Sequence, residues 1–195
     1  MRISKISRKT AETDIQLSLN IDGEGNGNEI NTGIGFFNHM LILMTKHGFL
    51  DLEITCKGDL DVDFHHTVED VGIVLGQAFK EAIGDKNGIE RYATAFTPMD
   101  ESLSLLSIDI SGRPYLYFDA DIPVEKVGNF DTELVEEFFR AFVNQSSVTL
   151  HVKLIHGKNS HHIIESIFKG FGRVLNEATK INGKVKGVRS TKGML

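Results

Sequence analysis

The sequence predicts an α+β fold made of a duplicated β-β-β-α-β-α half-domain, and three observations predict it. Short runs in which apolar and polar residues alternate, closed by Gly or Asp-Gly, mark half-buried strands. Longer stretches space their apolar residues at helical period, which marks amphipathic helices. The order of these segments then occurs a second time along the 195 residues. A repeat this long exceeds a solenoid unit and suits two similar α+β halves packed on one core.

In the first half, Arg2 to Arg8 opens as a strand, and Ile15 to Ile21 (IQLSLNI) alternates at period two before closing at Asp22-Gly23. The Gly- and Asn-rich DGEGNGNE is a turn, and the short Glu29 to Gly33 is a third strand. Gly35 to His47 sets Phe36, Phe37, Met40, Leu41 and Met44 on one helical face, and Gly48 stops it. Leu50 to Cys56 is the fourth strand, followed by an amphipathic stretch from His66 to Ile83 carrying Val68, Val71, Leu75, Phe79 and Ile83. The second half follows the same order. Arg91 to Phe96 and Ser102 to Ile110 read as strands, and Arg113-Pro114 turns into Tyr115 to Ala120. Thr132 to Asn144 reads as a helix, Val148 to Leu154 as a strand and His162 to Thr179 as the last helix. Two pairs of segments support the duplication directly: AETDIQLSLNIDG with DESLSLLSIDISG, and DVDFHHTVEDVGIVLGQAF with HGKNSHHIIESIFKGFGRVL. The expected division is 1–86, 87–182 and a basic tail, 183–195, within one compact unit.

Composition excludes several classes of function. With 21 basic against 27 acidic residues the net charge is −6, so the chain as a whole lacks the positive field that non-specific nucleic-acid binding requires, and no nucleic-acid partner is expected. The single cysteine, Cys56, removes intrachain disulfides and thiolate zinc sites, and fits a reducing, cytoplasmic setting. No leader or membrane span is expected, because the basic N-terminus has no apolar run behind it and IGFFNHMLILM is short and interrupted.

Eight histidines stand out, and four of them form two doublets. His65-His66-x-x-Glu69 and His161-His162-x-x-Glu165 each set the first His and the Glu four apart, on one face of a helix. The second His points about 100° away from the first. Each doublet therefore looks like half of two metal sites. Imidazole and carboxylate without thiolate favour a roughly octahedral, harder ion, so Mn²⁺ is expected ahead of Fe²⁺ or Zn²⁺. His39 lies on the first helix of repeat one and Glu137 on the matching helix of repeat two, and both are candidate ligands. His47, His151 and His156 have no such support and read as structural.

Other polar residues carry two readings each. Glu12 and Glu101 hold corresponding places ahead of a strand, as solvated carboxylates or as substrate contacts. Arg91 and Arg113 suit a bidentate anion or ordinary surface acids. Lys169, four residues after Glu165, suits the same anion or an i,i+4 ion pair. The tail holds Lys184, Lys186, Arg189 and Lys192 without an acidic residue, as a frayed end or a phosphate-capturing arm. Cys56 has no activating neighbour.

The segments RKTAETDI, NTGIGFFNHML, HHTVEDVGIVLG, PMDESL, DISGRPYL, FDTELVEEFF, GKNSHHIIESIFKGFGR and STKG, in that order over essentially the whole chain, resemble the imidazoleglycerol-phosphate dehydratase family of histidine biosynthesis. The resemblance implies two four-stranded sheets with paired helices between them, and a cage of 24 subunits with active sites between subunits. It implies two Mn²⁺ ions per site, with ligands at His39, His65, His66, Glu69, His161, His162 and Glu165. It implies substrate contact at Glu12 and a phosphate grip at Arg91, Arg113, Lys169, Ser190 and Lys192. Many members have a histidine in a VEHFF-like segment where this chain has Glu137. A carboxylate also ligates Mn²⁺, so Glu137 stays in the set.

The reaction so implied removes water from imidazole glycerol phosphate to give imidazole acetol phosphate. Its difficulty is that the hydrogen to be removed sits on a carbinol carbon with no carbonyl beside it. An imidazolate held by two cations expels the neighbouring hydroxyl, leaving a diazafulvene-like intermediate whose next C–H is acidic enough for Glu12 as acid/base. Two other readings use the same residues: a metal-dependent phosphate-ester hydrolase, and a non-enzymatic assembly clamped by metal.

Overall fold

Apolar alternation decides which face of each strand turns inward. Ile15, Leu17 and Leu19 on one strand and Leu52, Ile54 and Cys56 on its neighbour are all buried, while the residues between them face out. The computed structural model describes residues 1–26 and 29–195; Gly27 and Asn28, in the expected DGEGNGNE turn, lie outside the described residues. Strands β1 (Ile3–Lys9), β2 (Thr13–Asn20), β3 (Glu29–Asn31) and β4 (Asp51–Gly58) form one sheet in the order β1-β2-β4-β3. Strands β5 (Tyr92–Met99), β6 (Ser102–Asp109), β7 (Tyr115–Asp119) and β10 (Thr149–His156) form the other as β5-β6-β10-β7. The two orders are the same topology. In each, the third strand runs parallel to the fourth and the remaining pairs are antiparallel.

Four helices fill the space between the sheets: α1 (Gly35–Gly48), α2 (His65–Ile83), α3 (Leu134–Ser146) and α4 (Ser160–Thr179). Helices α1 and α2 contact the first sheet, and α3 and α4 the second. Across the middle layer α1 packs on α4 and α2 on α3, so every helix pair joins the two halves. Glycines permit this closeness. A Cβ on Gly72 would lie 2.7 Å from the Phe138 carbonyl oxygen, and one on Gly76 would lie 2.5 Å from that of Phe142. On the other pair, a Cβ on Gly172 would overlap the Met44 carbonyl. Phenylalanines close the centre, with Phe138 and Phe168 stacked at 5.3 Å and Phe142 edge-on to Phe171 at 4.9 Å. Among the described residues no helix is long and apolar enough to cross a membrane.

The expected order of elements is present, with differences of local cause. Strand β5 begins at Tyr92 rather than Arg91, because Arg91 sits at φ +72°, outside the extended region. The last helix begins at Ser160, before His162, because the Asn159 side chain caps it. A small hairpin, β8 (Lys126–Val127) with β9 (Phe130–Asp131), was not anticipated; its strands are too short for an alternation signal, although Phe130 is buried. Replacing Gly172 by Ala is expected to cost about 3 kcal/mol of unfolding free energy by urea titration, because two helix backbones must separate. A loss under about 0.5 kcal/mol, the level of an ordinary surface substitution, would contradict that contact.

Candidate active site

Both histidine doublets sit at helix N-termini, and in both an Asx residue two positions earlier holds them there. Asp63 Oδ1 accepts from the His65 backbone N at 2.7 Å, and Asn159 Oδ1 accepts from the His161 and His162 backbone N atoms at 2.9 and 3.3 Å. The rings of each doublet then diverge, with interplanar angles of 85° for His65 and His66 and 79° for His161 and His162. Because α1 lies on α4, His39 meets the second doublet. Its Nε2 is 4.0 Å from Glu165 Oε2, and His161 Nε2 is 3.3 Å from the same oxygen. One donor atom from each of His39, His161 and Glu165 lies within 4.8 Å of the others, the one such group of three or more among the described residues.

Glu165 is buried, and its second oxygen receives Lys169 Nζ at 2.5 Å. Burial pushes its carboxyl up, but the Lys169 bond and charge, with His161 and His39, outweigh burial and hold it below its usual value. The cluster therefore presents an anionic oxygen and two imidazole nitrogens, a donor set that fits one face of a six-coordinate divalent ion. Lys169 serves this carboxylate. It does not line the anion cavity described below.

The outer histidine of each doublet faces carboxylates instead. His66 Nδ1 is 2.9 Å from Asp59 Oδ2 and its Nε2 is 3.8 Å from Glu12 Oε1. His162 Nδ1 is 2.7 Å from Glu101 Oε2 and its Nε2 is 4.0 Å from Asp100 Oδ2. The hydrogen bond to Asp59 raises His66, and that to Glu101 raises His162, above the ordinary histidine value. Glu101 in turn is held far below the usual carboxylate range by His162 and by the backbone N–H groups of Asn159 and Lys158. Glu12 and Glu101, matched in sequence, thus hold matched places beside the two outer histidines. His65 and Glu69 lie on α2 and do not join the His39 cluster. Glu137, on α3, has its carboxylate 3.8 Å from Arg140 Nε and joins no group of metal-capable side chains among the described residues.

A second feature lies near the end of the second half. Arg91, Tyr92, Arg113 and the tail residues Arg189 to Lys192 line a cavity of about 620 Å³. The Arg91 fork is largely occupied, with Nε and Nη2 on Asp109 at 2.7 and 3.2 Å and Nη1 on the Arg189 carbonyl at 2.7 Å. Arg113 and Lys192 make no ion pair among the described residues and leave their charge to the cavity. The structure thus brings Arg91, Arg113, Ser190 and Lys192 together, with Lys169 apart from them.

The sequence profile of the imidazoleglycerol-phosphate dehydratase family matches residues 32–175. The dehydratase of Acetivibrio thermocellus is 61% identical over 191 residues, covering 98% of this chain and 97% of that protein. That of Clostridium novyi is 63% identical over 188 residues, covering 96% and 95%. The crystal structure of the Staphylococcus aureus enzyme superposes with a TM-score of 0.84 at 48% identity, covering 92% of this chain and 99% of that one. The Pyrococcus furiosus enzyme, solved in complex with (S)-C348, gives the same TM-score at 37% identity over 97% and 100%. The chain belongs to the imidazoleglycerol-phosphate dehydratase family. As a member it is a lyase of histidine biosynthesis.

Reading the sequence missed Asp59, Asp63, Asp109 and Asn159. Asp63 and Asn159 did carry a signal, since an Asx residue stands two places before each doublet. Cys56, for its part, is buried and takes no part in either feature, and burial pushes its thiol up to about 11. At pH 8 only about one thiol in a thousand is then ionised, so iodoacetamide should label the native protein far more slowly than the urea-unfolded chain. Equal labelling rates would contradict the burial.

Proposed function

We propose that the chain dehydrates imidazole glycerol phosphate to imidazole acetol phosphate, with two Mn²⁺ ions held by its histidine doublets and the phosphate held in the Arg113–Lys192 cavity. The observation that carries this reading is the His39, His161 and Glu165 donor set, assembled without a thiolate from helices of both halves. His65, His66, Glu69, His162 and Glu137 are the remaining proposed ligands. They diverge from the first cluster, which supports sites completed between subunits of a larger assembly, here a cage of 24 chains. When bound, the cations would supply the positive charge that lets the substrate's azole ring carry negative charge.

The chain's own residues do the rest. Arg113 and Lys192 bind the phosphate, with Ser190 and the partly engaged Arg91 beside them, and this remote grip fixes the reacting carbons relative to the doublets. Glu12 is the proton carrier. It is half exposed, its Oε1 lies 3.8 Å from His66 Nε2, and its backbone is fixed by the Thr10 hydroxyl and by Asp59. A carboxylate beside a proposed ligand, in no ion pair with a lysine or arginine among the described residues, suits removal of the carbon-bound hydrogen once the hydroxyl has left. Lys169 acts on Glu165, holding the carboxylate ionised and aimed at His39 and His161.

Glu12→Gln separates the readings. The dehydratase reading expects wild-type metal content and assembly with ketone formation reduced at least about a hundredfold, the usual weight of a general acid/base. Retained turnover would remove Glu12 from the mechanism. Release of inorganic phosphate from the substrate by the unaltered protein would instead favour the hydrolase.

A further inference from the structure

Where the segment joining the two halves meets the tail, two consecutive side chains converge on one residue. Gly88 to Arg91 runs against the end of α4 and the chain beyond it. The backbone N–H of Arg91 donates to the Ala178 carbonyl at 2.8 Å, that of Glu90 to the Lys180 carbonyl at 2.9 Å, and that of Gly88 to the Gly187 carbonyl at 2.8 Å. Arg91 adopts φ +72°, a left-handed conformation that a bulky residue rarely takes. Arg91 Nη1 donates to the Arg189 carbonyl at 2.7 Å, and Asp109 anchors the rest of that guanidinium. From the other side, Glu90 Oε2 accepts from Arg189 Nη1 at 2.6 Å and the Glu90 carbonyl accepts from the same nitrogen at 3.0 Å. The remaining Glu90 oxygen accepts from Asn182 Nδ2 at 2.6 Å.

Arg189 is therefore held by both its main chain and its side chain, and the residues that follow it line the anion cavity. A lone, half-exposed ion pair contributes little. Here one carboxylate oxygen is committed to Asn182, just before the tail, and the other, with the carbonyl, to Arg189 within it, so the contacts reinforce one another. Without such fastening, ordering the tail would be charged against every binding event.

We infer that Glu90 is a positioning residue: its carboxylate fastens Arg189, and through it the tail, so that Ser190 and Lys192 stand ready at the cavity before an anion arrives. The inference rests on reading that cavity as the phosphate site. Glu90 touches none of the proposed metal ligands, so loosening it weakens capture of the phosphate and leaves the chemical step alone.

Three measurements on the full-length protein test this: amide hydrogen exchange of residues 187–193, KM and kcat for imidazole glycerol phosphate, and inhibition by inorganic phosphate. In Glu90→Gln, tail exchange should quicken, and KM and the phosphate inhibition constant should each rise, by about fivefold, with kcat within about twofold of the unaltered protein. Unchanged tail exchange in Glu90→Gln would overturn the inference. So would faster exchange with KM and phosphate inhibition unmoved. If the unaltered protein does not dehydrate the substrate, the reading of the site fails instead, and the exchange rates alone still decide the fastening.

Discussion

Neighbouring side chains on an α-helix point about 100° apart, and that constraint organises the site. Two adjacent histidines at the start of a helix cannot both turn to one point. His161 turns toward α1, where His39 and the buried Glu165 carboxylate meet it, while His162 turns away to Glu101. The first doublet divides in the same way, with His66 on Asp59. Each chain thus presents imidazoles in more than one direction. The proposed sites between copies of the chain would use that divergence instead of opposing it.

The duplicated fold supplies the second half of this logic. Because α1 packs on α4, the side chains that gather at the second doublet come from both repeats, His39 from the first and His161 with Glu165 from the second, so neither half alone assembles the cluster. Helix contacts close enough to need Gly72, Gly76 and Gly172 bring the backbones within reach. The buried Glu165 carboxylate would be costly on its own. Lys169, one turn along the same helix, offsets that cost and keeps the oxygen ionised. A residue that by sequence spacing could serve phosphate or carboxylate serves the carboxylate in the single chain.

Much of this is legible in the amino-acid sequence. Period-two runs such as IQLSLNI and the two doublets, with their carboxylates four residues on, are signals with a direct physical cause, and the fold follows the element order they give. Less legible were features that depend on tertiary meeting. The β8–β9 hairpin is too short to carry a period. Arg91, whose type suits an anion, gives three of its N–H groups to Asp109 and the Arg189 carbonyl, partners 18 and 98 residues away in the chain. No local pattern in the sequence encodes that meeting. Glu137 matches His39 in the repeat, yet joins no cluster among the described residues, because repeat symmetry fixes the backbone position and leaves the direction of a side chain to its neighbours.

The account turns on cations held by imidazole and carboxylate, and the direct test is removal and return of those cations. Protein purified without chelator should contain about two equivalents of Mn²⁺ per site and convert imidazole glycerol phosphate to a ketone. After exhaustive chelation the rate should fall to background, and added Mn²⁺ should restore it. Undiminished ketone formation by protein shown to contain no transition metal would contradict the account.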